Sequence, residues 1–289
     1  MTPSIPLSEA RAEVTALLRC PRCRAAGLVC HASELTCLAC PARFPIVDGV
    51  LDLLDNPAGQ YRTPDRPYEG WSGRGYGWFM DHPFCQRLDG WLLGMNTARY
   101  YDEMIRRLGA QPDGPTLEMP CGGAPFLSRS GKYRRGGPWI FVDLSRTLLH
   151  RVVVKVNRLG LTRHVIIRAD ARSLPIRDGV LTNVVSMFGF HCFHDKDTVF
   201  AEISRCLQPA GRALVSTLVS DGPRLSRLYH WMNQRDGTFA RDNSAQQILS
   251  HAEAHALTVA EPTYLGSAVV FTAHMRRPNG AGSPVTFTE

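Results

Sequence analysis

The stretch Thr116-Leu117-Glu118-Met119-Pro120-Cys121-Gly122-Gly123-Ala124 decides how the second half of this 289-residue chain folds. Its first four residues alternate between polar and apolar side chains, which predicts a short strand, and the glycines that follow predict a turn. Pro125 suits the first position of a helix, so we expect a helix to begin near it. A strand, a glycine turn and a helix in this order predict a site where backbone amides meet a nucleotide-like ligand.

Strand-like and helix-like runs alternate from Gln111 onward, which is typical of a parallel, doubly wound α/β sheet. Capping residues indicate the helix ends: Ser145 can begin a helix, Gly160 can stop it, and Ser244 can begin another. Further strands are predicted at residues 139–143, 165–169, 180–187, 212–218 and 268–275, and helices at 83–108, 145–160 and 244–256.

Two of the predicted strands end in an acid. Asp143 ends the second strand, where a carboxylate can accept hydrogen bonds from two ribose hydroxyls. Asp170 ends the third strand, where its carboxylate or the amide of Ala171 can reach an adenine amino group. Either acid taken alone is as readily a helix or turn cap, and a glycine turn alone is a weak signal. Together they predict a site for a nucleotide-like cofactor.

In these motifs the chain resembles class I S-adenosylmethionine-dependent methyltransferases, most closely the branch with small-molecule and quinone C-methyltransferases. The resemblance covers about residues 96–276. It implies a Rossmann-like doubly wound fold, S-adenosylmethionine as cofactor, and transfer of its methyl group. The stretches that carry it are 118–123, 142–145, 169–175, 188–195 and 202–211.

The resemblance also implies a role for each motif. The turn after the first strand would hold the methionine part of the cofactor, and the acids of the second and third strands its ribose and adenine. The end of the fourth strand would flank the reacting centre. The chain departs from the family pattern where Pro120 and Ala124 replace two of three glycines. The cofactor residues implied are Glu118, Pro120, Cys121, Gly122, Asp143, Leu144, Asp170, Ala171, Met187 and Phe188.

Three residues are candidates for catalysis. His191 follows the fourth strand and is the first candidate for a general base, although a histidine there can equally be a packing or surface residue. Tyr100 and Tyr229 fall where the resemblance implies a substrate lid. Aromatic walls at that place favour a sulfonium by cation–π contact, or they belong to the core of the lid helices. His194 is a weaker candidate base.

Cys20, Cys23, Cys37 and Cys40 form two Cys-x-x-Cys pairs near the N-terminus. Two such pairs supply the four thiolates of a closed, tetrahedral zinc site, which is structural and not catalytic. Two disulfides or four ordinary thiols are the alternatives. Because nothing at the N-terminus is similar to a secretory signal, we expect reduced thiols and a cytoplasmic protein.

The cysteine pairs belong to a longer pattern. Cys-Pro-x-Cys, Cys-x-x-Cys and the run Phe-Pro-Ile-Val-Asp-Gly at residues 44–49 follow one another within residues 16–54. This order resembles a family of short zinc-ribbon proteins, whose members occur as free activators of methyltransferases and as N-terminal modules fused to them.

Four segments follow: a zinc ribbon at residues 1–55, a linker and helical lid at 56–110, an S-adenosylmethionine-binding α/β domain at 111–278, and a tail at 279–289. The net charge is +7 and no run of 18 apolar residues is present, so membrane insertion is not expected. The leading hypothesis is a methyltransferase that acts on a small molecule. The alternatives are an rRNA or tRNA methyltransferase, an enzyme of alkyl transfer or cyclisation that uses the same sulfonium, and a scaffold without turnover.

Overall fold

The computed structural model describes residues 13–54, 88, 90–135 and 137–276. Within these ranges, eleven strands form one sheet. The strands are β1 (Leu28–Cys30), β2 (Glu34–Cys37), β3 (Arg43–Val47), β4 (Val50–Asp52), β5 (Thr116–Glu118), β6 (Trp139–Asp143), β7 (His164–Arg168), β8 (Leu181–Met187), β9 (Leu207–Leu218), β10 (Leu257–Leu265) and β11 (Ala268–Met275). The helices discussed below are α1 (Thr97–Gly109), α2 (Lys132–Arg135), α3 (Arg146–Leu159), α4 (Lys196–Cys206), α5 (Arg224–Arg235) and α6 (Ala245–Ala254).

The strand order across the sheet is β1-β2-β3-β4-β7-β6-β5-β8-β9-β11-β10. Strands β4, β7, β6, β5, β8 and β9 are parallel to their neighbours within this run, and β11 is antiparallel to both β9 and β10. The chain order reverses between β5 and β8, which is where ligands bind in open α/β sheets. The predicted doubly wound α/β fold is confirmed.

Local signals predicted most of these elements. Ser145 caps α3, its side chain accepting from the backbone N–H of Leu148, and Gly160 ends the helix with a φ of 63°. Ser244 caps α6 in a capping box with Gln247. Strand β9 begins five residues before the predicted 212–218, and β10 precedes the last predicted strand.

The prediction that a helix begins near Pro125 is wrong. Residues 125–129 form successive turns, and only the four residues of α2 are helical before β6. The backbone enters this segment from Ala124, whose φ of 45° is left-handed. The segment is rich in serine and glycine, which favour turns over helix interiors. The helix N-terminus expected beside the glycine turn is therefore not formed.

The predicted helix at 83–108 is also not continuous. Residues 90–92 are helical, Gly94 has a φ of 59°, and α1 starts afresh after Asn96, whose side chain accepts from the N–H of Arg99. Residues 55–87 lie outside the described residues, as do the first residues of the ribbon segment and the predicted tail.

The cysteine-bearing hairpins continue directly into the α/β sheet. Strand β4 pairs in parallel with β7, with Asp52 opposite Arg168. The buried carboxylate of Asp52 accepts a hydrogen bond from Arg146, the first residue of α3, and its Oδ2 lies 3.5 Å from the guanidinium of Arg168. Arg168 in turn donates from Nε to the carbonyl of Leu144 at 2.8 Å. This chain of contacts joins the ribbon to the end of β6.

The apolar core covers both faces of the sheet. One face packs against α4 and α6, and its cluster extends from Ile140 to Leu35 and Phe44 of the ribbon. The other face, to which Trp139 and Phe141 of β6 belong, packs against α1 and α3. Among the described residues, no helix combines the length and the apolar character that crossing a bilayer requires.

Replacing Asp52 with Asn should lower the free energy of unfolding by about 1–3 kcal/mol, because two arginines lose a buried charged acceptor. Chemical denaturation followed by circular dichroism measures this difference. Asp48→Asn is the matched control, since Asp48 is exposed and asparagine tolerates its φ of 50°. Equal losses in the two variants would contradict the role of Asp52.

Candidate cofactor site and metal centre

The four predicted metal-ligating thiols meet at one place. The Sγ atoms of Cys20 and Cys40 lie 3.7 Å apart, those of Cys23 and Cys37 lie 3.6 Å apart, and all four lie within 4.8 Å of one another. An ion bound tetrahedrally with metal–sulfur distances of about 2.3 Å separates its sulfur ligands by about 3.8 Å. The thiols therefore fit a tetrahedral ion.

A cavity of about 330 Å³ lies at the carboxyl ends of β5, β6, β7 and β8. Its walls include the turn after β5, Asp143 at the end of β6, Asp170 just after β7, and the segment after β8. All of the predicted cofactor residues except Glu118 line it. They are Pro120, Cys121, Gly122, Asp143, Leu144, Asp170, Ala171, Met187 and Phe188.

Asp143 joins the glycine turn to the end of β6. Its Oδ2 accepts from the backbone N–H of Gly122 at 2.8 Å, and its Oδ1 accepts from the N–H of Ser145 at 2.9 Å. Gly122 can take this position because its φ of 52° favours glycine. The acid predicted to hold a ribose therefore also holds the turn predicted to meet the methionine part.

Asp170 is bound by its own neighbour. Both carboxylate oxygens accept from the guanidinium of Arg172, at distances between 2.8 and 3.2 Å, and Oδ1 also accepts from the backbone N–H of Arg172 at 2.8 Å. Ala171 lies between these two residues and lines the cavity. At this strand end the backbone of Ala171 and an ion pair together face the cavity.

Glu118 lies outside the cavity wall and is buried at the end of β5. Its Oε2 accepts from the hydroxyl of Tyr133 at 2.8 Å, while its Oε1 has no hydrogen-bond partner among the described residues. Burial raises the pKa of this carboxyl to about 7, against the opposing effects of the Tyr133 hydrogen bond and the charge of Lys155.

His191 is not among the residues that line the cavity, and its role as a general base stays a prediction. Its ring is buried, lies 3.3 Å from the hydroxyl of Thr217 through Nδ1, and packs edge-on against Phe239. Burial, reinforced by the nearby His230, lowers the pKa of His191 to about 3. A strand end predicts the position of a residue but not the side to which the following 3-10 turn directs it.

His194 is the histidine that faces the cavity. Its Nε2 lies 3.0 Å from the carbonyl of Gly237, so Nε2 donates in the neutral ring and Nδ1 is the nitrogen that can accept a proton. Asp195, which also lines the cavity, caps α4 by accepting from the N–H of Thr198.

The two predicted tyrosines have different places. Tyr100 lines the cavity and stacks on Phe188 at a centroid distance of 4.6 Å, and its hydroxyl is 2.8 Å from that of Ser216. Burial raises the pKa of Tyr100 well above its ordinary value. Tyr229 is not among the residues that line the cavity, and its ring packs edge-on against that of Phe239 at a centroid distance of 5.8 Å.

Sequence reasoning missed two cations of α3 and one loop. Arg151 and Lys155 line the cavity, and the Nζ of Lys155 donates to the carbonyl of Gly123 at 2.7 Å. Their i,i+4 spacing beside the apolar stripe of α3 is a signal that was available. The loop of residues 236–238 after α5 forms part of the rim, and no motif marks it.

Known proteins are similar to the part of the chain that carries the cavity. Residues 117–215 match the model of a methyltransferase domain family. The chain is 31% identical over 126 residues to a ubiquinone/menaquinone biosynthesis C-methyltransferase of Acidiphilium cryptum, a match that covers 42% of this chain and 49% of the relative. It is 32% identical over 131 residues to a malonyl-acyl-carrier-protein O-methyltransferase of Alcanivorax borkumensis, with 41% and 44% covered.

A solved structure shares the fold. The phosphoethanolamine N-methyltransferase 2 of Haemonchus contortus superposes with a TM-score of 0.57 at 16% identity, covering 74% of this chain and 60% of that one. The α/β sheet therefore has the fold of this structure, and the methyltransferase domain match lies within it. The chain spans about half the length of the curated relatives that it matches.

Replacing Glu118 with Gln should make the unfolding free energy less dependent on pH. The raised pKa means that the folded wild type keeps a proton that the unfolded chain releases, so stability falls as pH rises from about 4.5 to about 7. Glutamine stays neutral and can still accept from Tyr133. We expect the variant to gain about 1–3 kcal/mol over the wild type between pH 4.5 and pH 8.

Urea denaturation across this pH range measures the effect. The control is Glu253→Gln at an exposed position, which should show no such trend. A difference between Glu118→Gln and wild type that stays constant with pH would contradict the perturbed carboxyl.

Proposed function

We propose that this protein is an S-adenosylmethionine-dependent methyltransferase that acts on a small molecule. The observation that carries the proposal is the cavity at the carboxyl ends of four parallel strands, with Asp143 and Asp170 on two adjacent strand ends. The relatives support an acceptor with a small organic group, since they are named for C-methylation in ubiquinone and menaquinone biosynthesis and for O-methylation of malonyl-acyl-carrier protein.

The residues present fit the cofactor. Asp143 is assigned to the ribose hydroxyls, because a carboxylate that already accepts two backbone N–H groups retains further lone pairs. The backbone of Ala171 beside Asp170 is assigned to the adenine. The turn at residues 120–123 is assigned to the methionine end, near which Lys155 places a positive charge.

The bound sulfonium supplies an activated methyl group, so the protein's task is to orient the acceptor and exclude water. Tyr100 and Phe188 form a stacked wall, and the Ser216 hydroxyl fixes the Tyr100 ring through the phenol. Tyr101 and Phe126 extend the wall, with ring centroids 5.0 Å apart. A ring face near the cationic sulfonium favours it by cation–π attraction.

The ribbon is assigned a structural zinc ion. The sulfur spacings match the tetrahedral requirement, and four thiolates leave no position open for a reacting ligand. In this proposal the ion supports the hairpins that lead into β4, and the cavity lies on a different part of the sheet.

Replacing Asp143 with Ala should weaken binding of S-adenosylhomocysteine by about 10- to 100-fold, since the variant loses a charged acceptor for the ribose and the tether of Gly122. Isothermal titration calorimetry measures the affinity. The exposed Asp48→Asn serves as the control and should bind as the wild type does. Equal affinity of Asp143→Ala and wild type would remove Asp143 from the ribose site.

The purified protein should contain about one zinc ion per chain, and Cys37→Ser should release it. Elemental analysis and the temperature of unfolding are the measurements, with the α/β domain expected to stay folded by circular dichroism. Cys30→Ser is the matched control because Cys30 lies in the same ribbon but outside the cluster. A metal-free wild type, or equal metal content in the two variants, would refute the zinc assignment.

A further inference from the structure

Helix α5 exposes large apolar side chains. Leu225, Leu228, Trp231 and Met232 are 43%, 52%, 51% and 57% exposed, and they lie at helical spacing on its outer face. We call this face, together with the exposed arginines between its apolar residues, the α5 surface. Contiguous apolar exposure of this kind marks a binding surface on a folded protein.

The amphipathy of α5 is the reverse of that in an ordinary surface helix. The residues it buries are Ser226 and His230, whereas its leucines and tryptophan face outward. Both ring nitrogens of His230 are buried without a hydrogen-bond partner among the described residues. On such a helix the apolar side chains of the outer side are exposed to water, which does not stabilise them.

Positive charge is interleaved with these apolar groups. Arg224, Arg227 and Arg235 are exposed on the same helix, and the helix contains no acid. The guanidinium of Arg235 lies over the ring of Trp231, 4.9 Å from its centroid. A helix that combines arginine with tryptophan and leucine and has no acid has the composition of helices that lie in the interface of anionic membranes.

The α5 surface borders the cavity. Residues 236–238, which follow α5 directly, line the cavity rim. At the other end of α5, Gly94 lies against Pro223, so closely that a Cβ atom added to Gly94 would be 2.7 Å from the Pro223 side chain. The segment that carries Trp91, which is 69% exposed, therefore reaches the start of α5. A binding partner that covers the α5 surface therefore lies beside the entrance of the cavity.

We propose that the α5 surface docks on an anionic lipid membrane. Two chemical arguments favour this occupant over others. A second copy of the chain would bring the three arginines of each α5 face to face, which like charges oppose. RNA would satisfy the arginines and Trp231, but Leu225, Leu228 and Met232 neither stack on bases nor bond to phosphates.

Docking in this orientation has a consequence that rests on the proposed function. With α5 in the headgroup region, the rim at residues 236–238 lies next to the lipid. A lipophilic methyl acceptor then enters the cavity from the bilayer, and its apolar part does not cross water.

Co-sedimentation with large unilamellar vesicles tests the docking itself. Vesicles of phosphatidylcholine with about one-third phosphatidylglycerol should bind the wild type at least about 10-fold more tightly than pure phosphatidylcholine vesicles. The double variant Leu228→Ser/Trp231→Ser should lose at least about 10-fold in affinity for the anionic vesicles. Arg224→Gln/Arg227→Gln should weaken binding and reduce its dependence on salt.

Val154→Ser/Tyr264→Ser is the matched control, since both residues are exposed apolar positions on other elements. It should bind vesicles as the wild type does. All variants should retain the wild-type affinity for S-adenosylhomocysteine, which shows that they are folded and keeps this test separate from that of the methyltransferase activity.

Equal vesicle binding by the α5 double variant and the control would overturn the proposal, as would equal binding of the wild type to both lipid compositions. If the wild type does not bind vesicles but binds a structured RNA through Arg224 and Arg227, α5 is instead a nucleic-acid surface. If the wild type sediments as a dimer and the variant Leu228→Ser/Trp231→Ser sediments as a monomer, the α5 surface is a self-association surface. That result would likewise refute membrane docking.

Discussion

The carboxylate of Asp143 is the interaction on which the cavity depends. This one side chain accepts a hydrogen bond from the backbone N–H of Gly122, in the turn after β5, and another from that of Ser145, at the start of α3. Hydrogen bonds to an ionised acceptor are stronger than those between neutral groups. The turn, the strand end and the helix start thus share one anchor, and the cavity wall is built around it.

The turn held by Asp143 receives its positive charge from an unexpected element. A helix beginning after Gly123 would have offered the partial positive charge of its N-terminus. The chain forms turns there, and α3 instead directs Arg151 and Lys155 to the same place, with Lys155 bound to the carbonyl of Gly123. The ammonium group of Lys155, on a flexible side chain, takes the place of a fixed helix N-terminus. The positive potential at the turn therefore comes from side chains and not from the backbone.

Sequence reasoning succeeded where the signal is local. Ser145 and Gly160 bound α3 because a cap and a left-handed glycine act within one turn of the helix. It failed at Pro125, where a favourable first residue was outweighed by the left-handed Ala124 and the serines and glycines that follow. The strand ends were predicted to within about one residue, and all predicted cofactor residues except Glu118 line the cavity, but side-chain direction after β8 depends on tertiary packing. That packing buries His191 against Phe239 and leaves His194 at the cavity.

The parallel pairing of β4 with β7 also protects the sheet. Without β4, the N–H and C=O groups on the free side of β7 would be open to pairing with another chain, and such edges are sites of aggregation. The hairpins move the boundary outward to β1, a strand of three residues. A strand this short offers few groups to a second molecule. The ribbon thereby covers the β7 edge of the α/β sheet, and a chain shortened to the α/β domain alone would be prone to oligomerise through β7.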